Sequence, residues 1–248
     1  MLENVLMKIE TISLEEMADV KLMNRIDTKF LTTLPKLHRL LELSSGDFLV
    51  QEVNGMRIAP YYTKYFDTPD VKMYHDHQRG KKNRQKIRIR EYVDSGVLPF
   101  LEIKDKNNKG RTKKKRVKMD AGNSIDLYSE FLSLHTLYPI SDLEPKLENH
   151  FNRITLVNKE KSERITIDTS VEFHNFVTQR DLALPELVII EWKRDKSSSK
   201  SRLKYLLREL RIQESGFSKY AVGMALTDRE LHQNKMKPRL NFIKKLIG

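Results

Sequence analysis

The chain has 248 residues, of which 39% are hydrophobic and 32% are charged, and it carries a formal net charge of +12. The length and hydrophobic content predict a globular protein, and the absence of cysteine excludes disulfides, thiolate metal sites and cysteine nucleophiles. The positive charge favours an anionic partner, although a solvated basic surface would give the same composition. No apolar run is long enough to span a bilayer, and the acidic start does not resemble a signal peptide. Because a chain without cysteine fits a reducing compartment, we expect a cytoplasmic protein.

The first part of the chain is predicted to mix short helices with strands. In chain order, the pattern predicts a helix over 13–24, a strand over 25–32, a helix over 34–46, strands over 48–53 and 57–66, a short helix around 73–78, and strands over 84–92 and 98–106. Ser13 and Glu16 have the spacing of a capping box. Asn54-Gly55 between two strands is typical of a β-hairpin.

The second part is predicted to continue in the same way. The elements are a strand over 111–119, a helix over 124–135, strands over 151–157, 164–173 and 187–194, a helix over 197–210, a short element over 217–226, a helix near 228–234 and a basic tail. Many strands at hairpin spacing with a few helices predict one β-rich α+β domain, with a core over 25–226 and a basic helical tail over 227–248.

Five of the predicted strands carry charged side chains on the face opposite their apolar residues. In the strand over 84–92, Lys86, Arg88 and Arg90 point one way, because side chains alternate along a strand. The other charged sets are Arg25, Asp27 and Lys29; Glu102, Lys104 and Lys106; Arg164 and Asp168; and Glu191 and Lys193. A single strand of this kind is usually an amphipathic strand with its polar side in water. Five in one sheet would repel one another unless carboxylates or a bound anion intervened.

A closed antiparallel barrel would turn these charged faces inward and the apolar faces outward against helices. Its interior would be a wet, positively charged tunnel suited to a ligand with several phosphates in a row. Guanidinium groups fork onto phosphate oxygens, and lysines supply point charges. The few carboxylates, such as Glu102 and Glu191, would suit a divalent cation that bridges phosphate oxygens.

Seven segments occur in the order found in a known family. They are RIDTKF, YFDTPD, KIRIREY, FLEIKDKNNKGRTKKKR, RITIDTS, VIIEWK and GFSKYAVGM. In this order the sequence resembles the catalytic domain of the VTC (vacuolar transporter chaperone) family, the polyphosphate polymerase branch of the CYTH-like triphosphate tunnel metalloenzymes. The resemblance runs from about residue 25 to 226. It implies an α+β fold with an antiparallel β tunnel or barrel and helices packed outside.

The resemblance also implies which residues form the site. By similarity, the catalytic cations are Lys29, Arg88, Arg90, Lys104 and Lys219, the later phosphate-binding arginines are Arg153 and Arg164, and the metal ligand is Glu191. The alternation on the strands adds Arg25, Lys86 and Lys193 as phosphate contacts and Glu102 as a second metal ligand. Two roles stay open. Asp168 could simply counter an arginine, and the basic run over 113–116 could either form an entrance that draws in polyanions or be plain solvated charge.

The function that follows is phosphoryl transfer from ATP to a growing inorganic polyphosphate chain, with Mn²⁺ or Mg²⁺ as cofactor. One alternative is a triphosphatase acting on inorganic or nucleoside triphosphate in the same tunnel, and another is a non-catalytic module that binds polyanions. The phosphatase relatives open with two glutamates and a lysine at alternating positions. Here the stretch is Arg25, Asp27 and Lys29, and the missing carboxylate favours the polymerase.

The predicted partners are ATP and polyphosphate. Specific nucleic acid binding is not expected, because KIRIREY offers only Tyr92 for base stacking. A peripheral membrane partner stays open, since eukaryotic relatives carry membrane helices that this sequence lacks. The sequence does not predict the oligomeric state.

Overall fold

The computed structural model describes residues 2–18, 20, 25–93, 95–108, 112–195 and 201–248, with Ala18 and Arg25 described by their backbone alone. The strands in these segments are β1 (Thr11–Ile12), β2 (Arg25–Thr33), β3 (Phe48–Gln51), β4 (Ala59–Asp67), β5 (Arg84–Tyr92), β6 (Phe100–Lys106), β7 (Thr112–Lys118), β8 (Glu144–Asn158), β9 (Glu163–Asn175), β10 (Arg180–Leu184) and β11 (Leu187–Asp195).

The α-helices are α1 (Leu2–Leu6), α2 (Leu14–Ala18), α3 (Leu34–Ser44), α4 (Lys72–Gln78), α5 (Ser129–His135), α6 (Arg202–Glu209), α7 (Lys219–Thr227) and α8 (Lys237–Ile247), with short 3-10 helices at Ile125–Tyr128 and Ile140–Asp142. The predicted capping box is present at α2: Glu16 N–H donates to Ser13 Oγ at 3.1 Å, and Ser13 N–H donates to Glu16 Oε2 at 2.9 Å.

All the strands join one sheet, whose main path runs β2-β11-β9-β8-β4-β5-β6-β7. Neighbours along this path are antiparallel, whereas β1 pairs in parallel with β3. Within the described ranges no pairing joins β2 to β7. The sheet is therefore an open tunnel, which confirms the α+β antiparallel β tunnel predicted from sequence, although these residues do not close it into a full barrel.

The curvature of the sheet is visible from two lysines. Lys29 on β2 and Lys86 on β5 are separated by the four strands β11, β9, β8 and β4. In a flat sheet they would lie about 24 Å apart, at roughly 4.8 Å per strand. Lys29 Nζ nevertheless donates to the carbonyl of Phe217 at 2.9 Å, and Lys86 Nζ donates to Oγ of the next residue, Ser218, at 2.8 Å. The sheet must curl to bring both lysines to the same loop.

We call the concave side of this curl the tunnel face. By strand register it carries the side chains of Asp27, Lys29, Tyr61, Thr63, Arg84, Lys86, Arg88, Arg90, Glu102, Lys104, Lys114, Arg116, Arg153, Arg164, Thr166, Asp168, Glu191 and Lys193.

The apolar core has two main parts, one behind the tunnel face and one packed around helix α7. Phe30, Ile190 and Trp192 point to the convex side and pack with helices α1, α3 and α6 in one buried cluster. Helix α7 differs from the expected external position, because it lies on the concave side. A Cβ atom added at Gly223 would come within 2.6 Å of Leu147 and Phe173, so this helix sits tightly on β8 and β9. Its N-terminus therefore reaches into the tunnel.

Two sequence predictions about local structure are wrong, and one strand was missed. Asn54 and Gly55 do form a turn with positive φ (51° and 75°), but β3 and β4 pair with successive parts of β8 rather than with each other. The helix predicted near 228–234 is absent from the described structure, and the tail instead forms α8. Strand β10 was not predicted at all. No helix among the described segments is long and apolar enough to cross a membrane.

Candidate phosphate-binding tunnel

Strand register brings the predicted charged residues into one array. Arg88 lies opposite Glu102 and Lys86 opposite Lys104 in the β5–β6 pair. Arg153 lies opposite Asp168 in the β8–β9 pair. On the far side of the sheet, Glu191 lies opposite Lys29 and Lys193 lies opposite both Asp27 and Arg164. The array thus contains many more cations than carboxylates.

Glu102 is clamped between two cations. Arg88 donates to its Oε2 from Nε at 2.9 Å and from Nη2 at 2.6 Å, while Lys114 donates to Oε1 at 2.9 Å. The carboxylate is fully buried (0% exposed side chain). Burial opposes its ionisation, but Arg88, Arg90 and Lys114 prevail and lower the pKa of Glu102 to about 2. It is therefore a permanent anion that holds Arg88 in place.

Asp168 has the same role on the other wall. Arg153 donates to it from Nε at 2.6 Å and from Nη2 at 2.8 Å, and Lys219 at the start of α7 donates to Oδ2. Burial disfavours the charge, yet Arg153 and Lys219 hold the pKa of Asp168 well below its usual value. Asp168 shares its charge between two cations. At Lys219 its attraction is therefore weaker than the combined effect of burial and the nearby Arg153, which lower the pKa of the Lys219 amine to about 7.

Two cations in the centre of the array have no carboxylate of their own. No acidic side chain in the described structure lies within ion-pair distance of Arg90 or Lys104. Arg90 Nε is buried without a hydrogen-bond partner in those segments, and burial with Arg88 and Arg153 lowers the Arg90 pKa to about 10. Arg88, burial and Arg90 together hold the pKa of Lys104 well below normal. Such uncompensated buried charge favours an anionic ligand at this point.

Comparison with known proteins identifies this arrangement. The family model described as the VTC domain matches residues 24–228, which is most of the chain. The chain belongs to the VTC domain family. Among curated proteins no significant match is found.

Solved structures similar to this VTC domain have the triphosphate tunnel (CYTH-like) fold. HpAC1 from Hippeastrum, described as an adenylyl cyclase with a dominant triphosphatase activity, is 17% identical with a TM-score of 0.50 over 84% of this chain and 100% of that chain. PH1819 from Pyrococcus horikoshii OT3 is 15% identical with a TM-score of 0.45 over 82% of this chain and 97% of that chain. At 17% identity the likeness to HpAC1 shows the fold alone.

The two predicted metal ligands of the VTC domain differ in availability. Both oxygens of Glu102 are engaged by Arg88 and Lys114. Glu191 pairs with Lys193 through Oε2 at 2.6 Å, and its other oxygen accepts no hydrogen bond from the described residues. Its side chain is 25% exposed, and although burial opposes ionisation, Lys29 and Lys193 hold the pKa of Glu191 well below normal. Glu191 fits a divalent cation as a single protein ligand, and no cluster of three acidic or histidine ligands occurs in the described ranges.

The remaining predicted residues take different positions. Arg164 lies on the tunnel face opposite Lys193, toward one end of the strands. Arg25 begins β2, but its side chain lies outside the described structure. All of these site assignments stay predictions, because geometry places the residues without testing their roles.

Three side chains that sequence reasoning left without a role also belong to the array. Asp168 anchors two of the cations, as described above. The basic run divides by alternation: Lys114 and Arg116 point into the tunnel, whereas Lys113 and Lys115 point away from it. Arg116 lies over the ring of Phe100 with its guanidinium carbon 4.6 Å from the ring centre. The pairing of FLEIKDK with TKKKRVK would have given this division, had the register been known.

Proposed function

We propose that this VTC domain transfers the γ-phosphate of ATP to the end of an inorganic polyphosphate chain on the tunnel face. The observation that carries the proposal is the pair Arg90 and Lys104, two inward cations with no carboxylate partner in the described structure. Both lie near the clamped Arg88, and Arg90 also lies near the clamped Arg153. These four cations around one hollow suit a linear polyanion better than a compact monoanion.

The residues divide into holders and anchors. Arg88 and Arg153 each use Nε and Nη2 on a carboxylate. This leaves Nη1 of Arg153 for a phosphate oxygen, whereas Arg88 also has Tyr65 as a hydrogen-bond partner. Their anchors, Glu102 and Asp168, keep them fixed before the substrate arrives. Arg90 and Lys104 carry the charge that neutralises the transferred group. Preorganised charge of this kind is the main source of catalysis in phosphoryl transfer.

The acceptor needs little help from the protein. The terminal phosphate of a polyphosphate chain is already an anionic oxygen nucleophile, so no general base is required to activate it. A triphosphatase must instead position and activate a water. Two deeply buried carboxylates of the tunnel face, Glu102 and Asp168, are held by two cations each and are poor bases with lowered pKa values. This arrangement supports the polymerase over the triphosphatase.

A divalent cation fits this scheme at Glu191. Mg²⁺ and Mn²⁺ commonly bind through one or two carboxylates together with substrate phosphates, and one oxygen of Glu191 has no hydrogen-bond partner among the described residues. When bound, the metal would supply Lewis-acid neutralisation of phosphate oxygens. Glu102 could join it only if Arg88 or Lys114 released an oxygen.

The test is product analysis with purified protein, ATP and Mn²⁺ or Mg²⁺. Long polyphosphate on a gel, with ADP in equal amount to the phosphate incorporated, supports the proposal. Orthophosphate alone would contradict it and favour the triphosphatase, and no turnover at all would favour a polyanion-binding module. Arg90→Ala should abolish synthesis, whereas Lys113→Ala, which removes an equal charge from the exposed outer face, should not.

A further inference from the structure

One end of the tunnel opens into a second cavity of about 400 Å³, which we call the C-terminal pocket. Its lining includes the cations Lys29, Arg84, Lys235 and Arg239 together with the acids Asp27 and Glu214. The pocket is continuous with the tunnel face, because Lys29 and Arg84 belong to both. Positive charge therefore extends beyond the catalytic array.

A row of cations leads from the array to this pocket. Arg84, Lys86, Arg88 and Arg90 alternate on the tunnel face of β5. At roughly 3.3 Å per residue, the row from Arg84 to Arg90 is about 20 Å long. That length exceeds what the three phosphates of a nucleotide need, so the row is suited to a longer chain.

The pocket is completed by a segment outside the family match, which ends at residue 228. Tyr74 Oη donates to the carbonyl of His232 at 3.1 Å, and Gln78 Nε2 donates to the same carbonyl. Lys235 Nζ donates to the carbonyl of Arg79 at 3.3 Å. These bonds fasten the chain before α8 to helix α4. The following helix then delivers Arg239.

Arg239 is placed for a ligand rather than for an ion pair. Its guanidinium lies against Gly216, where an added Cβ would be 3.0 Å from Nη2. Within the described structure no carboxylate lies within 4.0 Å of it, and burial lowers its pKa. The nearby His77 stays neutral, because burial with Lys86, Arg84 and Arg239 lowers its pKa to about 2. The local field is thus strongly positive.

We propose that the C-terminal pocket is a subsite for distal phosphates of the polyphosphate chain, and that Lys235 and Arg239 make this VTC domain grip long chains more tightly than short ones. A nucleoside is a poorer fit, because the lining has two rings that could stack on a base and neither is fully exposed: Phe217 is only 6% exposed, and His77 is half-buried. The inference rests on the proposed function, since it assumes that the tunnel holds polyphosphate.

The experiment compares binding of tripolyphosphate and of a much longer polyphosphate by calorimetry, without ATP. The variants are Arg239→Gln and Lys235→Gln in the pocket, Arg90→Ala in the array, and Lys245→Gln as a control that removes the same charge from an exposed position of α8. Removing one charge-assisted contact should weaken long-chain binding about tenfold in Arg239→Gln, with tripolyphosphate binding unchanged. Arg90→Ala should weaken both ligands, and Lys245→Gln neither.

The outcomes separate the two proposals. Unchanged long-chain binding in both pocket variants, with normal wild-type binding, overturns the subsite and leaves the proposed function intact. Equal loss for both ligands in Arg239→Gln also overturns it, because the residue would then act through the fold or the array. Failure of the wild type to bind either phosphate chain overturns the proposed function itself. Unfolding midpoints of all variants identify any that fail to fold. If Arg239→Gln fails to fold, the binding data for Lys235→Gln test the subsite.

Discussion

Arg88 and Arg90 lie two residues apart on the same face of β5, yet the structure predicts different effects on stability when each is replaced by alanine. Arg88→Ala removes the partner of a fully buried carboxylate, Glu102. Arg90→Ala removes a cation that has no carboxylate partner in the described segments and is repelled by Arg88 and Arg153. Both substitutions should abolish polyphosphate synthesis.

The magnitudes follow from these surroundings. Breaking a buried ion pair typically costs about 3–5 kcal/mol, and because Lys114 still holds Glu102 we expect about 3 kcal/mol for Arg88→Ala. The Arg90 pKa, lowered to about 10, corresponds to an unfavourable charge of about 3 kcal/mol at neutral pH. Since that pKa is lowered, stability rises with pH only above about 10, and the whole cost is present at pH 7. Arg90→Ala also removes two favourable contributions: the contact of the guanidinium with the Tyr61 ring, 5.8 Å from the ring centre, and the packing of the aliphatic part of the side chain. Their loss offsets about 2 kcal/mol of the stability gained by removing the charge.

The expected result is an unfolding free energy about 3 kcal/mol lower for Arg88→Ala and unchanged or about 1 kcal/mol higher for Arg90→Ala. Urea titration followed by the fluorescence of the single tryptophan, Trp192, measures both. Equal destabilisation by the two variants would refute the reasoning, because Arg90 would then be a structural partner. A neutral Arg88→Ala would show that the Glu102 clamp contributes nothing.

Three further predictions concern the remaining charges. Asp168→Asn should lower the unfolding free energy by about 3–5 kcal/mol, because it leaves Arg153 and Lys219 side by side without their carboxylate. Tripolyphosphate should restore part of this loss, which denaturant titration with and without tripolyphosphate measures. An undiminished stability would contradict the role of Asp168 as the anchor of both cations. The Lys219 pKa is lowered to about 7, so between pH 7 and roughly 10 the unfolded chain holds a proton that the folded protein has released. Wild-type stability should therefore rise with pH in this range by about 1.4 kcal/mol per pH unit relative to Lys219→Met. Parallel pH profiles of the two proteins would show that the amine keeps a normal pKa. Glu191→Gln should raise the Mn²⁺ concentration for half-maximal synthesis at least about tenfold. The control Glu172→Gln, at an exposed position, should leave this concentration unchanged. An unaltered metal titration of Glu191→Gln would exclude Glu191 as the ligand.

The alternation of charge along the strands was enough to predict the tunnel face, because side-chain direction in a strand has a period of two. Arg88, Arg90 and Lys104 were placed on it without any knowledge of strand order. Helix α3 was predicted because Pro35 and the apolar spacing of its leucines agree. These features are local, so the sequence contains them directly.

The features that were not predicted depend on long-range pairing. The Asn54-Gly55 turn is local, but the sequence could not show that the long strand β8 accepts both β3 and β4 side by side. The anchoring of Arg153 and Lys219 by Asp168 depends on the β8–β9 register and on α7 entering the concave side. The helix predicted near 228–234 gives way to a turn in which Glu230 N–H donates to Asp228 Oδ1 at 3.0 Å.

The central claim is that a chain of phosphates binds among the inward cations. A crystal structure with a non-hydrolysable ATP analogue and Mn²⁺ tests it most directly. We expect phosphate oxygens within hydrogen-bond distance of Arg90 and Lys104 on the tunnel face. Phosphates bound instead to the outward Lys113 and Lys115, with no density on the tunnel face, would contradict it.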